Sequence, residues 1–170
     1  SPDGKTIYLK EFNRKQNEMS LDAYDAVTGD KRATLYTERH EKYITSYTSV
    51  AFLPWDADKF ILQSQKDGYN HLYLFNTKGE MLRQLTSGNF VVYDLLGFDK
   101  ARKRAIILSA ESSPIQSNLY AVDIATGKRT LLDNGRGVHA NIISPSGFHD
   151  RALSPDGGWI IDNYAEPTVP

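Results

Sequence analysis

The 170-residue sequence contains no cysteine, which excludes disulfides, thiolate metal sites and a cysteine nucleophile while leaving the redox compartment open. It also lacks an excess of either charge. Twenty Lys plus Arg stand against 21 Asp plus Glu, a net charge of −1, and the basic residues are scattered rather than striped. Such a surface offers no broad attraction to a phosphate backbone or an anionic membrane, so neither nucleic acid nor membrane is an expected partner. No apolar run approaches the roughly 20 residues needed to span a bilayer, and no basic stretch followed by an apolar one opens the chain. A G-x-S-x-G motif is missing as well, and with it the strained strand-to-helix turn that would expose a nucleophilic serine.

What is present is repetition. The pattern LYLFNTKGEMLRQLTSG, from Leu72 to Gly88, recurs as LYAVDIATGKRTLLDNG from Leu119 to Gly135 and more loosely as LDAYDAVTGDKRATLYTE from Leu21 to Glu38. One hairpin returning about every 50 residues marks a stack of equivalent β units. Ahead of each hairpin stands a turn followed by an apolar strand. Ser1-Pro-Asp-Gly leads into Ile7-Tyr-Leu and Ser154-Pro-Asp-Gly into Trp159-Ile-Ile. Between them, Leu53-Pro-Trp-Asp-Ala-Asp-Lys leads into Phe60-Ile-Leu and Phe98-Asp-Lys into Ala105-Ile-Ile-Leu. Proline pre-sets φ, aspartate bonds its own backbone and glycine tolerates positive φ, so SPDG predicts a tight turn. The apolar runs are too short for helices and rich in β-branched and aromatic residues.

Further strands are expected at Leu21 to Asp25, His71 to Asn76 and Asn118 to Asp123. Each closes on a glycine turn (Thr28-Gly29, Lys78-Gly79, Thr126-Gly127) into a third strand carrying Thr34-Leu35, Gln84-Leu85 or Leu131-Leu132. One more apolar segment precedes two of the units, Tyr47 to Leu53 and Val91 to Phe98. Four antiparallel strands in about 45 to 53 residues predict β-propeller blades. The fold class is therefore all-β, a partial β-propeller of four-stranded blades, two complete and two incomplete. Blade portions fall at about 1–46, 47–88, 89–135 and 136–170. The first unit lacks its innermost strand and the last its two outer ones, so exposed edges and apolar faces should favour self-association.

At Gln65-Lys-Asp-Gly-Tyr-Asn-His-Leu-Tyr-Leu-Phe the chain resembles the propeller of the prolyl oligopeptidase family of serine peptidases, in its dipeptidyl peptidase IV branch. Similar stretches are Leu9-Lys-Glu-Phe-Asn-Arg-Lys-Gln-Asn, Thr37-Glu-Arg-His-Glu-Lys-Tyr and Leu85-Thr-Ser-Gly-Asn-Phe-Val-Val. The tail, Ser154-Pro-Asp-Gly-Gly-Trp-Ile-Ile-Asp followed by Glu166-Pro-Thr-Val-Pro, is similar to the last propeller segment before the hydrolase domain. The resemblance implies a parent that joins this C-terminal part of the propeller to an α/β-hydrolase domain carrying Ser, Asp and His. It implies release of N-terminal dipeptides, preferably after proline, and a periplasmic or secreted location. The hydrolase domain and peptide substrates become the expected partners, with a homodimeric parent. The family's glutamate pair for the substrate ammonium lies in an earlier propeller segment, and no Glu-Glu occurs here. No catalytic residue, metal or cofactor is therefore expected in this chain.

Most of the individual candidate residues read as structural. His71 alternates with Leu72 and Leu74 and reads as packing within a blade. His40, His139 and His149 fall in loops without metal-ligand spacing. Ser144 and Ser154 sit in turn signatures, and Asp56, Asp58 and Asp67 do not follow a calcium loop. Glu38 and Glu41 suggest a glycosidase pair only by proximity in sequence. Two stretches stand out as surface that could touch substrate. In Arg39 to Thr48, which enters an innermost strand, the candidates are Tyr43 and Tyr47. The hairpin with Asn13, Arg14, Gln16 and Asn17 is the other, with a structural loop the favoured role. A stand-alone periplasmic propeller module that binds proteins is the alternative function, since blades serve many activities.

Overall fold

The computed structural model describes residues 1–44, 48–139 and 153–167. Eleven strands and no helix occur among them. The chain divides into two compact units, Ser1–Gln84 and Leu85–Pro170.

The first unit holds two sheets. β1 (Thr6–Phe12), β2 (Glu18–Asp25) and β3 (Lys31–Arg39) form a three-stranded sheet in that order. β4 (Ala51–Leu53), β5 (Asp56–Ser64), β6 (His71–Asn76) and β7 (Met81–Gln84) form a four-stranded one, also in sequence order. All neighbours are antiparallel. Side-chain alternation decides what each face does. Tyr8 on β1 turns inward, whereas Ile7 and Leu9 remain exposed on the opposite face. Phe60 and Phe75, paired across β5 and β6, stack with ring centroids 5.9 Å apart, and Tyr36 meets Phe75 edge-on at 5.2 Å. Tyr8 and Phe52 add another edge contact at 5.2 Å. Together with Leu21, Leu62 and Tyr73 these rings form the core of the unit, each aromatic pair worth about 0.5–1.5 kcal/mol beyond its burial.

In the second unit β8 (Val92–Asp99), β9 (Arg104–Ser109), β10 (Asn118–Asp123) and β11 (Arg129–Leu131) make a four-stranded antiparallel sheet in sequence order. Leu108 and Leu119 face each other across β9 and β10, and Leu96 and Ile160 pack on them. Among the described residues of the region expected to start a fourth blade, the pairing consists of isolated bridges: Leu153 with Ile160, and Val138 with Ala165 and Ser117.

The two SPDG turns repeat atom for atom. Gly4 N donates to Ser1 O and Gly157 N to Ser154 O. Each serine hydroxyl donates to its turn aspartate, Asp3 or Asp156, at 2.6 Å and accepts the amide of Thr6 or Trp159. The aspartate accepts the amide two residues on, from Lys5 or Gly158. The motif is thus a closed local network, which explains its recurrence ahead of a strand. The same economy governs the later turns, where Asp25, Asn76 and Asp123 each gather turn amides on a side-chain oxygen.

β3 carries Thr34-Leu35 as expected and runs from Lys31 to Arg39. Two expectations shift. The turn foreseen across Leu53 to Lys59 is tighter, because Leu53 already pairs with Asp56 and β5 begins there. The strand foreseen at Trp159 to Asn163 is reduced to the bridge at Ile160.

Candidate functional site

The two stretches singled out in the sequence come together in the first unit. Asn13 closes the β1–β2 hairpin: its Oδ1 accepts the amides of Asn17 and Glu18, and its Nδ2 donates to Asn17 Oδ1 at 2.8 Å. Gln16 takes a left-handed φ of 55° to complete the turn. That hairpin then holds the chain leaving β3, since His40 N donates to Asn17 O at 2.9 Å and Ile44 N to Gln16 O at 2.8 Å. Arg39 and Glu18 form an exposed ion pair at 2.9 Å. Asn17, Glu18, Arg39, His40 and Glu41 line a shallow depression of about 420 Å3. Spacing alone had kept these segments apart.

Tyr43 lies two residues beyond Glu41. The residue is 56 % exposed while the next one, Ile44, is fully buried. The carbonyl of Tyr43 accepts a hydrogen bond from Gln65 Nε2 at 2.8 Å. The ring is therefore presented to solvent from a backbone held on both sides, by the β1–β2 hairpin and by the β5–β6 turn. Tyr47 lies outside the described residues, as do Ser144 and His149.

Close to this loop, on β3, sits a buried acidic group. Glu38 is 4 % exposed, and Ser64 Oγ donates to its Oε2 at 2.6 Å. Tyr36 shares both partners at 3.4 Å. Two lysines lie within electrostatic reach of the Glu38 carboxylate. Burial lowers the Lys10 ammonium to about 8 against the pull of Glu38. It lowers Lys66 as well, whose Nζ stands 4.2 Å from the centroid of Tyr73. Burial pushes the Tyr36 hydroxyl up to about 12. The alternation Tyr36, Glu38 on one face of β3 was the available signal.

The remaining residues occupy structural positions. His71 is fully buried and pairs in register with Ser64. Asp56 bonds Lys59 Nζ at 2.7 Å, and Asp67 accepts from Gln84 Nε2 at 2.5 Å. Glu41 is exposed while Glu38 is buried, so the two do not form a carboxylate pair across one cleft. Ser154 is committed to its turn. No three His, Asp or Glu side chains among the described residues converge to hold a metal ion.

Comparison with known proteins agrees with this architecture. The profile of the dipeptidyl peptidase IV N-terminal region matches residues 1–170. An Aspergillus flavus protein assigned as a dipeptidyl peptidase 4 is 27% identical over 173 residues, covering 97% of this chain and 21% of the relative. Among solved structures, a Bacteroides ovatus protein assigned as a dipeptidyl aminopeptidase IV is 34% identical, with a TM-score of 0.77 over 96% of this chain and 24% of that one. Porphyromonas gingivalis dipeptidyl peptidase 4 is 30% identical, with a TM-score of 0.69 over 79% of this chain and 19% of its own. The chain thus spans about a fifth to a quarter of the length of these relatives. It is an all-β segment built of propeller blades, and it belongs to the family of dipeptidyl peptidase IV N-terminal regions.

Proposed function

We propose that this chain is a non-catalytic propeller segment of a serine-type dipeptidyl peptidase, gating access and orienting peptides for a hydrolase domain in the same parent protein. The observation that carries the reading is the family match along all 170 residues, supported by relatives named as dipeptidyl peptidases. In that parent the hydrolase domain forms and breaks the acyl-enzyme, and the propeller contributes position. The parent removes N-terminal dipeptides, preferably after proline, in the periplasm or outside the cell. The exposed faces of Ile7, Leu9, Trp159 and Ile161 are surfaces for self-association or for a homodimeric parent.

Tyr43 and Tyr47 are the residues assigned to the substrate's N-terminal side. An exposed ring on a hydrogen-bonded backbone binds at low entropic cost, because little freedom is left to lose. The test is expression of the full-length protein beside the 170-residue chain, with a Gly-Pro chromogenic amide as substrate. Turnover is expected from the full-length protein alone, abolished by a serine-directed phosphonate. Turnover by the chain alone, or none by the full-length protein, overturns the reading.

A further inference from the structure

The most enclosed titratable cluster outside the candidate site surrounds His139 in the second unit. The residue is 2 % exposed although the sequence placed it in a loop. Its Nδ1 lies 2.6 Å from Asp162 Oδ2. Its Nε2 lies 2.7 Å from the carbonyl oxygen of Arg136 and 3.2 Å from Asn134 Oδ1. Asp133 Oδ2 stands 3.7 Å from Nε2, and the Tyr164 ring covers the imidazole at 4.8 Å.

A backbone carbonyl can only accept, so Nε2 must carry a proton. With Nε2 protonated, a neutral imidazole would aim the Nδ1 lone pair at the Asp162 carboxylate. The other neutral tautomer would aim the Nε2 lone pair at the Arg136 carbonyl instead. Both neutral forms set lone pair against lone pair at hydrogen-bond distance. The contacts are satisfied together only when the His139–Asp162 pair holds one further proton. Asp133 is occupied elsewhere, accepting from the amides of Leu119 and Gly135 and from Asn118 Nδ2.

We propose that His139 is a proton-operated clasp that fastens the segment around Asp162 and Tyr164 to the end of the β10–β11 sheet, and that loss of one proton releases it. The surroundings fit. Val138 and Ala165 exchange two backbone hydrogen bonds at 2.8 and 3.0 Å beside the imidazole. On the other side Ser117 Oγ donates to His139 O at 3.1 Å, and Ser117 bridges to Val138. The groups facing the imidazole are Asp133, Asn134 and the Arg136 carbonyl from the turn after β11, and Asp162 and Tyr164 from the clasped segment, with Glu166 bonded to the Tyr164 hydroxyl. Removal of that further proton leaves the 2.6 and 2.7 Å approaches without enough hydrogens to fill them.

The test is NMR on the 15N-labelled 170-residue chain between pH 5 and 8.5. It follows the His139 ring nitrogens and the exchange protection of the Val138 and Ala165 amides, corrected for intrinsic exchange. Below the ring transition both nitrogens should show the protonated signature. As pH rises towards that transition, opening at these two amides should increase by up to tenfold per pH unit, the limit that one-proton linkage sets, while Ala121 in β10 keeps its protection. His139→Gln should abolish that slope, and Asp162→Asn should weaken it. Constant protection through the ring transition overturns the clasp, as does the same slope in His139→Gln. If the glutamine variant does not fold, coincidence of the two wild-type curves decides alone.

Discussion

Ser64, the last residue of β5, donates a 2.6 Å hydrogen bond to the buried carboxylate of Glu38, which ends on the neighbouring sheet of the same unit. The bond joins residues 26 positions apart, and the residue after Ser64, Gln65, holds the carbonyl of Tyr43. Glu38→Ala should therefore lower stability by about 2–3 kcal/mol, because a charged acceptor is removed and the Ser64 hydroxyl is left buried. Glu38→Gln should recover part of the loss. Chemical denaturation of the two variants checks this, and equal stability of Glu38→Ala and wild type would remove the buried bond from the account.

Lys10 sets the alkaline behaviour. Its ammonium is lowered from 10.5 to about 8 by burial, so the folded state sheds this proton before the unfolded state does. Between those two values the unfolded chain holds more protons, and the Lys10 contribution to stability rises with pH. Lys10→Met should raise stability at pH 7 by about 1 kcal/mol, a value discounted for partial solvent screening, and should flatten the rise between pH 8 and 10.5. Denaturation midpoints at pH 7, 8.5 and 10 measure both effects.

Asp99 governs the acid limb in the second unit. Burial opposes its charge, yet Arg104 at 2.7 Å and the Arg102 amide and guanidinium hold its carboxyl below the usual range. The folded value being depressed, this stability is present above about pH 4 and is lost as pH falls through the folded value. Asp99→Asn should flatten the acid limb and lower stability at pH 7 by about 2 kcal/mol. Thermal melts from pH 2 to 7 provide the comparison.

The two SPDG turns give a controlled pair. Gly4 and Gly157 share φ values of 72° and 76°, so alanine strains both backbones by about 1 kcal/mol. Around Gly4 the space is open, whereas a Cβ on Gly157 would collide with the Phe98 carbonyl. Gly157→Ala should cost more than Gly4→Ala by about 2 kcal/mol or more. Equal melting temperatures for the two would contradict that close approach.

These contrasts separate what the sequence could reveal from what it could not. The SPDG turns and the hairpins opening at His71 and Asn118 are written in residues within five or six positions of each other, where turn chemistry acts. The burial of Glu38 and His139 was not legible because their partners, Ser64 and Asp162, lie 26 and 23 residues away, and only the tertiary fold brings them together. The joining of the Asn13 hairpin to the Tyr43 loop was hidden for the same reason: it runs through backbone groups of Gln16 and Asn17, which carry no side-chain signature.

Steady-state kinetics of the full-length protein with Tyr43→Ala, on a Gly-Pro amide, test the positioning role most directly. Loss of an aromatic contact worth about 1 kcal/mol should raise KM about fivefold and leave kcat nearly unchanged, the mark of binding shared by ground and transition states. An unchanged KM, or a fall in kcat alone, would contradict the assignment of Tyr43 to the substrate.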